Sequence, residues 1–178
     1  MKAIWRVLGL RSTRSDAHSV TDLSVPEEYT VLRGLHIGVR EPGNLYRFTR
    51  GNLYAAGFAG VALGIARGVF GAFVELARDK APRDAEGVLR DSRVIQALVG
   101  DREAKLLTSR SLLTNTLAEM SAELEKRGAF TNSRVATLRL TSTLAIQQAR
   151  NVVTALYQAA AATRFSKKIP FSAASATG

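Results

Sequence analysis

The sequence predicts a mainly α-helical protein: an antiparallel bundle of three long helices behind a short β-rich N-terminal segment. Three observations carry this. No proline lies between Pro82 and Pro170, and proline inside a helix removes a hydrogen bond and clashes with the preceding turn. From residue 49 to 164, apolar residues recur at steps of three and four, the period of a helix with one buried side. Apolar residues make up 46% of the chain, too many for a disordered polymer. At 178 residues, the length favours a single domain.

The β-rich part comes first. Ile4-Trp5-Arg6-Val7-Leu8 has strand composition, and residues 18–25 alternate polar and apolar at each end before Pro26 closes them. Residues 33–46 contain Gly34, Gly38, Pro42 and Gly43 and read as loop. Two or three strands do not make a stable sheet alone, so they pack on the helices or derive from something larger.

The first helix is expected over 49–79, stopped by Pro82. The second is expected over 92–127, with Asp91 as N-cap, Lys126 and Arg127 in its last turn and Gly128 just beyond. Val99, Leu106, Leu113 and Met120 recur every seven residues, flanked by Ile95, Leu117 and Leu124. The third is expected over 133–164, capped by Thr131 or Asn132, with Val135, Leu138, Ala145, Ala149, Val152, Leu156 and Ala159 as its apolar stripe. At 1.5 Å per residue such helices run ~45–55 Å, and short connections make sequence neighbours antiparallel. The domain boundaries expected are 1–48, 49–165 and a small polar tail at 166–178.

Residues 53–74 carry one charge, Arg67. Gly57, Gly60, Gly64, Gly68 and Gly71 share one helical face, a spacing that lets helices approach closely. The length suits a membrane span, but Arg67 opposes one by roughly 2.5–3.5 kcal/mol on the insertion scale. A buried helix of a soluble oligomer is the reading favoured, with the glycines at a close helix–helix contact inside the chain or across an assembly.

Other classes are narrowed by composition. The absence of cysteine excludes disulfides, thiolate metal sites and a cysteine nucleophile. The two histidines, His18 and His36, cannot make a three-histidine metal site and are read as structural, so no metal is expected. Arg6, Arg11 and Arg14 interrupt any signal-peptide core, and the cytoplasm is the default location. The net charge of +10 raises a nucleic-acid reading. However, Arg134, Arg139, Arg150 and Arg164 share no stripe, and few aromatics accompany them. Neither nucleic acid nor membrane is the expected partner.

Several segments together resemble one family. Gly9-Leu10-Arg11-Ser12-Thr13-Arg14-Ser15-Asp16, followed by Val20 through Val25-Pro26-Glu27-Glu28, resembles the end of the middle β-domain of acyl-CoA dehydrogenase-like flavoproteins. Arg40-Glu41-Pro42-Gly43-Asn44-Leu45-Tyr46-Arg47-Phe48 and the Ala/Gly-rich helix after it resemble the opening of that family's C-terminal helical domain. Gln96, with Glu103 seven residues on, is similar to its second helix. The branch is the type-2 C-terminal domain, shared with two-component monooxygenases that use reduced flavin. The resemblance implies FAD or FMN as cofactor, an acyl-CoA or aromatic substrate, oxidation of a CH–CH group or monooxygenation, and a homo-oligomer. It also implies a chain truncated at both ends relative to complete members, lacking the first domain, most of the second and the fourth helix of the bundle.

Candidate site residues follow. The resemblance places the turn with Thr13 and Ser15 near a flavin; such residues also favour β-turns for local reasons. Arg83, Arg90, Ser92 and Gln96 gather where the second helix begins, and helix N-termini receive phosphates. The alternative is a solvated basic loop, and Ala85 and Val88 stand where the dehydrogenase branch has Arg and Phe. No acid follows Glu125 and no histidine follows His36, so no catalytic residue is assigned. Little turnover is expected from the chain alone. A non-catalytic helical oligomerisation module is the alternative function, with a basic nucleic-acid or membrane-surface binder ranked below it.

Overall fold

A computed structural model describes residues 4–7, 11–13, 15–30, 43–81 and 87–161. The chain divides into two compact units, one of Met1–Arg33 with Pro170–Gly178, the other of Gly34–Ile169. The second unit carries three long helices: α1 (Arg50–Asp79), α2 (Arg93–Arg127) and α3 (Asn132–Ala161).

Their ends follow local chemistry. The Thr49 hydroxyl accepts from the Asn52 N–H at 3.3 Å and caps α1. Gly128 takes the left-handed conformation, φ 71°, and donates its N–H to the Leu124 carbonyl at the end of α2. Thr131 caps α3 by accepting from the Arg134 N–H at 3.3 Å. The start of α2 differs from expectation. Asp91 lies in a 3-10 turn, Leu89–Asp91, and Ser92 takes the cap position. The turn exists because Leu89 is buried and its N–H donates to the Lys80 carbonyl at 2.8 Å. The expected continuation of the third helix over 162–164 lies outside the described residues.

The strands expected at 4–8 and 18–25 do not form among the described residues, apart from an isolated bridge at Ala17. One oxygen of Asp16 accepts from the N–H groups of both Ile4 and Trp5, at 3.0 and 3.1 Å. A side chain thus does what a neighbouring strand would do. Val20, Leu23 and Val25 are exposed, and a strand with no sheet to join gains nothing from alternation. Of the loop expected at 33–46, residues 43–46 are described: Gly43 at φ 147° leads into a 3-10 turn at Asn44–Arg47.

The helices run up, down and up. At one end the Phe48 and Phe130 rings meet edge to face at 4.8 Å, and Arg47 Nη1 donates to the Gly128 carbonyl at 3.0 Å. At the other, Lys80 Nζ donates to the Ala160 carbonyl at 3.4 Å. Sequence neighbours are antiparallel, as expected, and α1 and α3 are therefore parallel. α3 packs extensively on both others, whereas α1 and α2 meet more sparsely.

The core forms two layers. One gathers Ala66, Phe70, Phe73 and Ala77 of α1 with Leu106 of α2 and Ala149, Val152, Leu156 and Ala160 of α3. The other gathers Ala59, Leu113, Met120, Leu138 and Ala145. The heptad stripe of α2 and the stripe of α3 thus point inward. The glycine face of α1 does not. A Cβ added at Gly57, Gly60, Gly64, Gly68 or Gly71 would meet nothing within 4 Å. Alanines make the close contact inside the chain, at a smaller entropic cost than glycine, and only 28% of the most apolar window of α1 is buried.

Leu138 is fully buried and Leu140 is 71% exposed on the same helix. Urea denaturation is expected to show Leu138→Ala costing about 2–5 kcal/mol and Leu140→Ala less than about 0.5 kcal/mol. Equal effects would contradict the packing of α3.

Candidate functional site

The start of α2 brings three of the six candidate residues together. Gly87, at φ 87°, turns the chain into the segment that carries them. The Val88 N–H donates to Asp91 Oδ2 at 3.4 Å, and the Asp91 and Ser92 N–H groups return to the carbonyls of Val88 and Leu89. Gln96 Nε2 then donates to the Arg90 carbonyl at 2.8 Å. Gln96 therefore holds the turn from one helical turn away. Arg90 is exposed, with Nε 3.7 Å from Asp91 Oδ1. The Ser92 hydroxyl makes no capping bond.

This end of α2 is cationic. Its first turn holds no acid, and Arg93 opens it. Arginines at 90 and 93 stand at the positive end of the helix dipole, where acids are normally stabilising. The Arg93 contribution was not among the sequence candidates, although its position one residue past Ser92 could have suggested it. Arg83 lies outside the described residues. Thr13 and Ser15 belong to the other unit, where the Ser15 hydroxyl donates to Thr13 Oγ1 at 3.4 Å.

A further charged constellation was hidden in the sequence. Arg67 of α1 forms a two-pronged pair with Glu103 of α2, Nη1 to Oε2 at 2.6 Å and Nη2 to Oε1 at 3.0 Å. Its guanidinium also lies 5.3 Å from the centre of the Phe70 ring. The hydrogen bond that Arg67 donates to Glu103 raises the Arg67 pKa above its ordinary value. Thirty-six residues separate the partners, so no local pattern reveals the pair.

Three other acids of α2, Asp101, Glu119 and Glu123, are also engaged. Arg134 of α3 bonds Glu119 and lies 3.6 Å from Glu123. Lys105 Nζ donates to Asp101 Oδ2 at 2.9 Å. That bond, ahead of the nearby Lys105 and Arg102 charges, holds the Asp101 carboxyl below the usual carboxylate range. A general base works best with a pKa near the operating pH, so Asp101 is displaced in the wrong direction. Among the described residues, no group of three His, Cys, Asp or Glu could hold a metal ion.

A family model, acyl-CoA dehydrogenase C-terminal domain, matches residues 56–171. The chain belongs to the acyl-CoA dehydrogenase C-terminal domain family. The match begins nearly two turns into α1 and runs through α2 and α3, so it covers most of the bundle. No curated protein matches the chain. The family relates this bundle to flavin-dependent oxidoreductases; its members generally bind FAD, assemble as homo-oligomers and are soluble. The donors of Arg90, Arg93 and Ser92 suit the phosphate oxygens of a flavin nucleotide, as helix N-termini with cationic side chains do. The described residues of the bundle contain no histidine, and most acids of α2 are tied to cations.

Two measurements check this electrostatic layout. A double-mutant cycle of Arg67→Gln and Glu103→Gln is expected to give a coupling of about 0.3–1 kcal/mol that shrinks with added salt, since the pair is partly exposed. Carboxyl NMR titration of Lys105→Met is expected to return the Asp101 midpoint towards its ordinary value. The sign follows from a lowered folded-state pKa. The stabilisation is complete above the unfolded carboxylate pKa and is lost as pH falls through the folded one.

Proposed function

We propose that the chain supplies the helical bundle of an acyl-CoA dehydrogenase-like flavin-dependent oxidoreductase, in the cytoplasm, and turns over little by itself. The observation that carries this reading is the coincidence of the family match with the three-helix bundle. Bound FAD or FMN would supply the electron transfer behind CH–CH oxidation or monooxygenation of an acyl-CoA or aromatic substrate. Arg90 and Ser92, with Arg83 from the adjoining segment, would hold its phosphate end, and Gln96 would position them through its bond to the Arg90 carbonyl. Thr13 and Ser15, which belong to the other unit, are the remaining candidates for flavin contact by resemblance. Such contacts add affinity without chemistry. Chemistry also needs a proton-transfer group held to within about half an ångström.

The uncovered outer face of α1 favours a second role alongside the first: self-association through helical faces, which in the alternative reading is the chain's whole function. Exposed apolar patches of this kind mark interaction surfaces.

Titration with FAD and with FMN, followed by flavin fluorescence, separates these readings. Binding weak enough to be lost on gel filtration, and weakened further by Arg90→Ala, is the expected result. No flavin binding at all would leave the assembly role alone. Turnover of acyl-CoA or aromatic substrates by the isolated chain at ~1–1000 per second would overturn the proposal of low intrinsic activity.

A further inference from the structure

We infer that the end of the bundle where α1 begins and α2 stops docks on an anionic phospholipid surface. Arg47, Arg50, Lys126 and Arg127 meet the headgroups, and Leu45, Tyr46, Leu53 and Tyr54 enter the boundary beneath them. This contact is independent of the flavin reading and of self-association. It is peripheral: Arg67 opposes crossing a bilayer and is no obstacle to lying against one.

The fold gathers the cations. Arg47 Nη1 reaches the Gly128 carbonyl at 3.0 Å, which seats the turn Asn44–Arg47 beside the last turn of α2, where Lys126 and Arg127 stand. Arg50 opens α1, two residues after Phe48, whose ring is held against Phe130. All four cations are exposed, and none is in an ion pair with an acid of the described residues. The acids nearby are engaged elsewhere, Glu119 and Glu123 by Arg134 of α3. Glu125 is the remaining acid within residues 43–54 and 119–134. The first turn of α1 holds no acid either, so its orphan N–H groups add to the positive field.

Apolar side chains stand among these charges. Leu45, Tyr46, Leu53 and Tyr54 are 42–62% exposed and come from the same short stretch as Arg47 and Arg50. The combination selects the partner. A nucleic acid would use the cations, but its phosphate backbone gains nothing from leucines. The acyl boundary of a bilayer accepts leucines, and tyrosine sets an apolar ring below a hydroxyl that stays wet. Charge complementarity points the same way. The chain carries +10, and an anionic leaflet attracts cations that come within a Debye length of about 8 Å. The residues belong to a 3-10 turn, the first turns of α1 and the last turn of α2. The surface is therefore an end of the bundle, not a side along which a further helix would lie.

The test is co-sedimentation of the full chain with vesicles of phosphatidylcholine alone and of phosphatidylcholine mixed with phosphatidylserine, with circular dichroism on every variant. Binding to the mixed vesicles that weakens with added salt is expected, with little binding to phosphatidylcholine alone. Each cation near an anionic leaflet contributes roughly a fivefold gain in affinity. Arg50→Gln combined with Lys126→Gln and Arg127→Gln should therefore weaken binding about a hundredfold. Tyr54→Ser leaves the charge unchanged and should weaken it about tenfold. Arg139→Gln with Arg150→Gln removes two exposed arginines of α3 and should change it by less than about twofold. Unchanged helix content in each variant separates lost docking from lost fold. A folded chain that ignores the mixed vesicles would overturn the inference, and one that then binds single-stranded DNA would turn the surface over to nucleic acid. Equal losses from the α3 pair and the three cations of this end would also overturn it, since that is diffuse charge attraction. So would full binding by Tyr54→Ser, or equal binding to the two kinds of vesicle.

Discussion

The seam between α1 and α3 is the constraint on which the rest of the bundle depends. Ala59, Ala66 and Ala77 of α1 share core layers with Ala145, Ala149 and Ala160 of α3, and small side chains at a crossing let helix axes draw together. Leu106, Leu113 and Met120 of α2 fill the third side. Parallel helices align their dipoles unfavourably, and the antiparallel α2 offsets this. The two clasping cations act in the same sense. Arg47 reaches the Gly128 carbonyl just past the end of α2, and Lys80 reaches the Ala160 carbonyl near the end of α3.

Most of the helical architecture was legible in the residues. The Thr49 cap, the Gly128 stop and the stripes through Leu113 and Leu138 depend on interactions within a few residues, and sequence displays those directly. The orientation of α1 was not legible. A helix apolar on every side has no stripe to point inward, so glycines and alanines compete for the same contact. The structure turns Ala59 and Ala66 in and Gly60 and Gly64 out. The strands failed for a related reason. Alternation at residues 18–25 states which side chains could be buried, and it is silent on whether a sheet exists to bury them.

The site was legible in part. Arg90, Ser92 and Gln96 do meet, because all lie within two turns of the start of α2. The role of Gln96 as a brace on the Arg90 carbonyl depends on the 3-10 turn anchored by Leu89, which no motif announces. The Arg67–Glu103 pair joins separate helices, and its effect is to tether the one charge in the apolar stretch of α1. This explains how an arginine persists there without being buried alone.

The pairing of α1 with α3 also bears on how the chain reaches its native state. α2 and α3 are joined through residues 128–131 and can form a helical hairpin from local contacts. The clasps that seat α1 join residues 80 and 81 positions apart. Closing a larger loop costs more entropy, though each doubling adds only ≈ 0.6 kcal/mol, and non-local contacts slow folding. Seating of α1 against α3 therefore carries the larger loop-closure cost. Until it occurs, the inner sides of Leu138 and Val152 stand open on the hairpin, so the interval before docking is when the nascent chain is most exposed to misassembly.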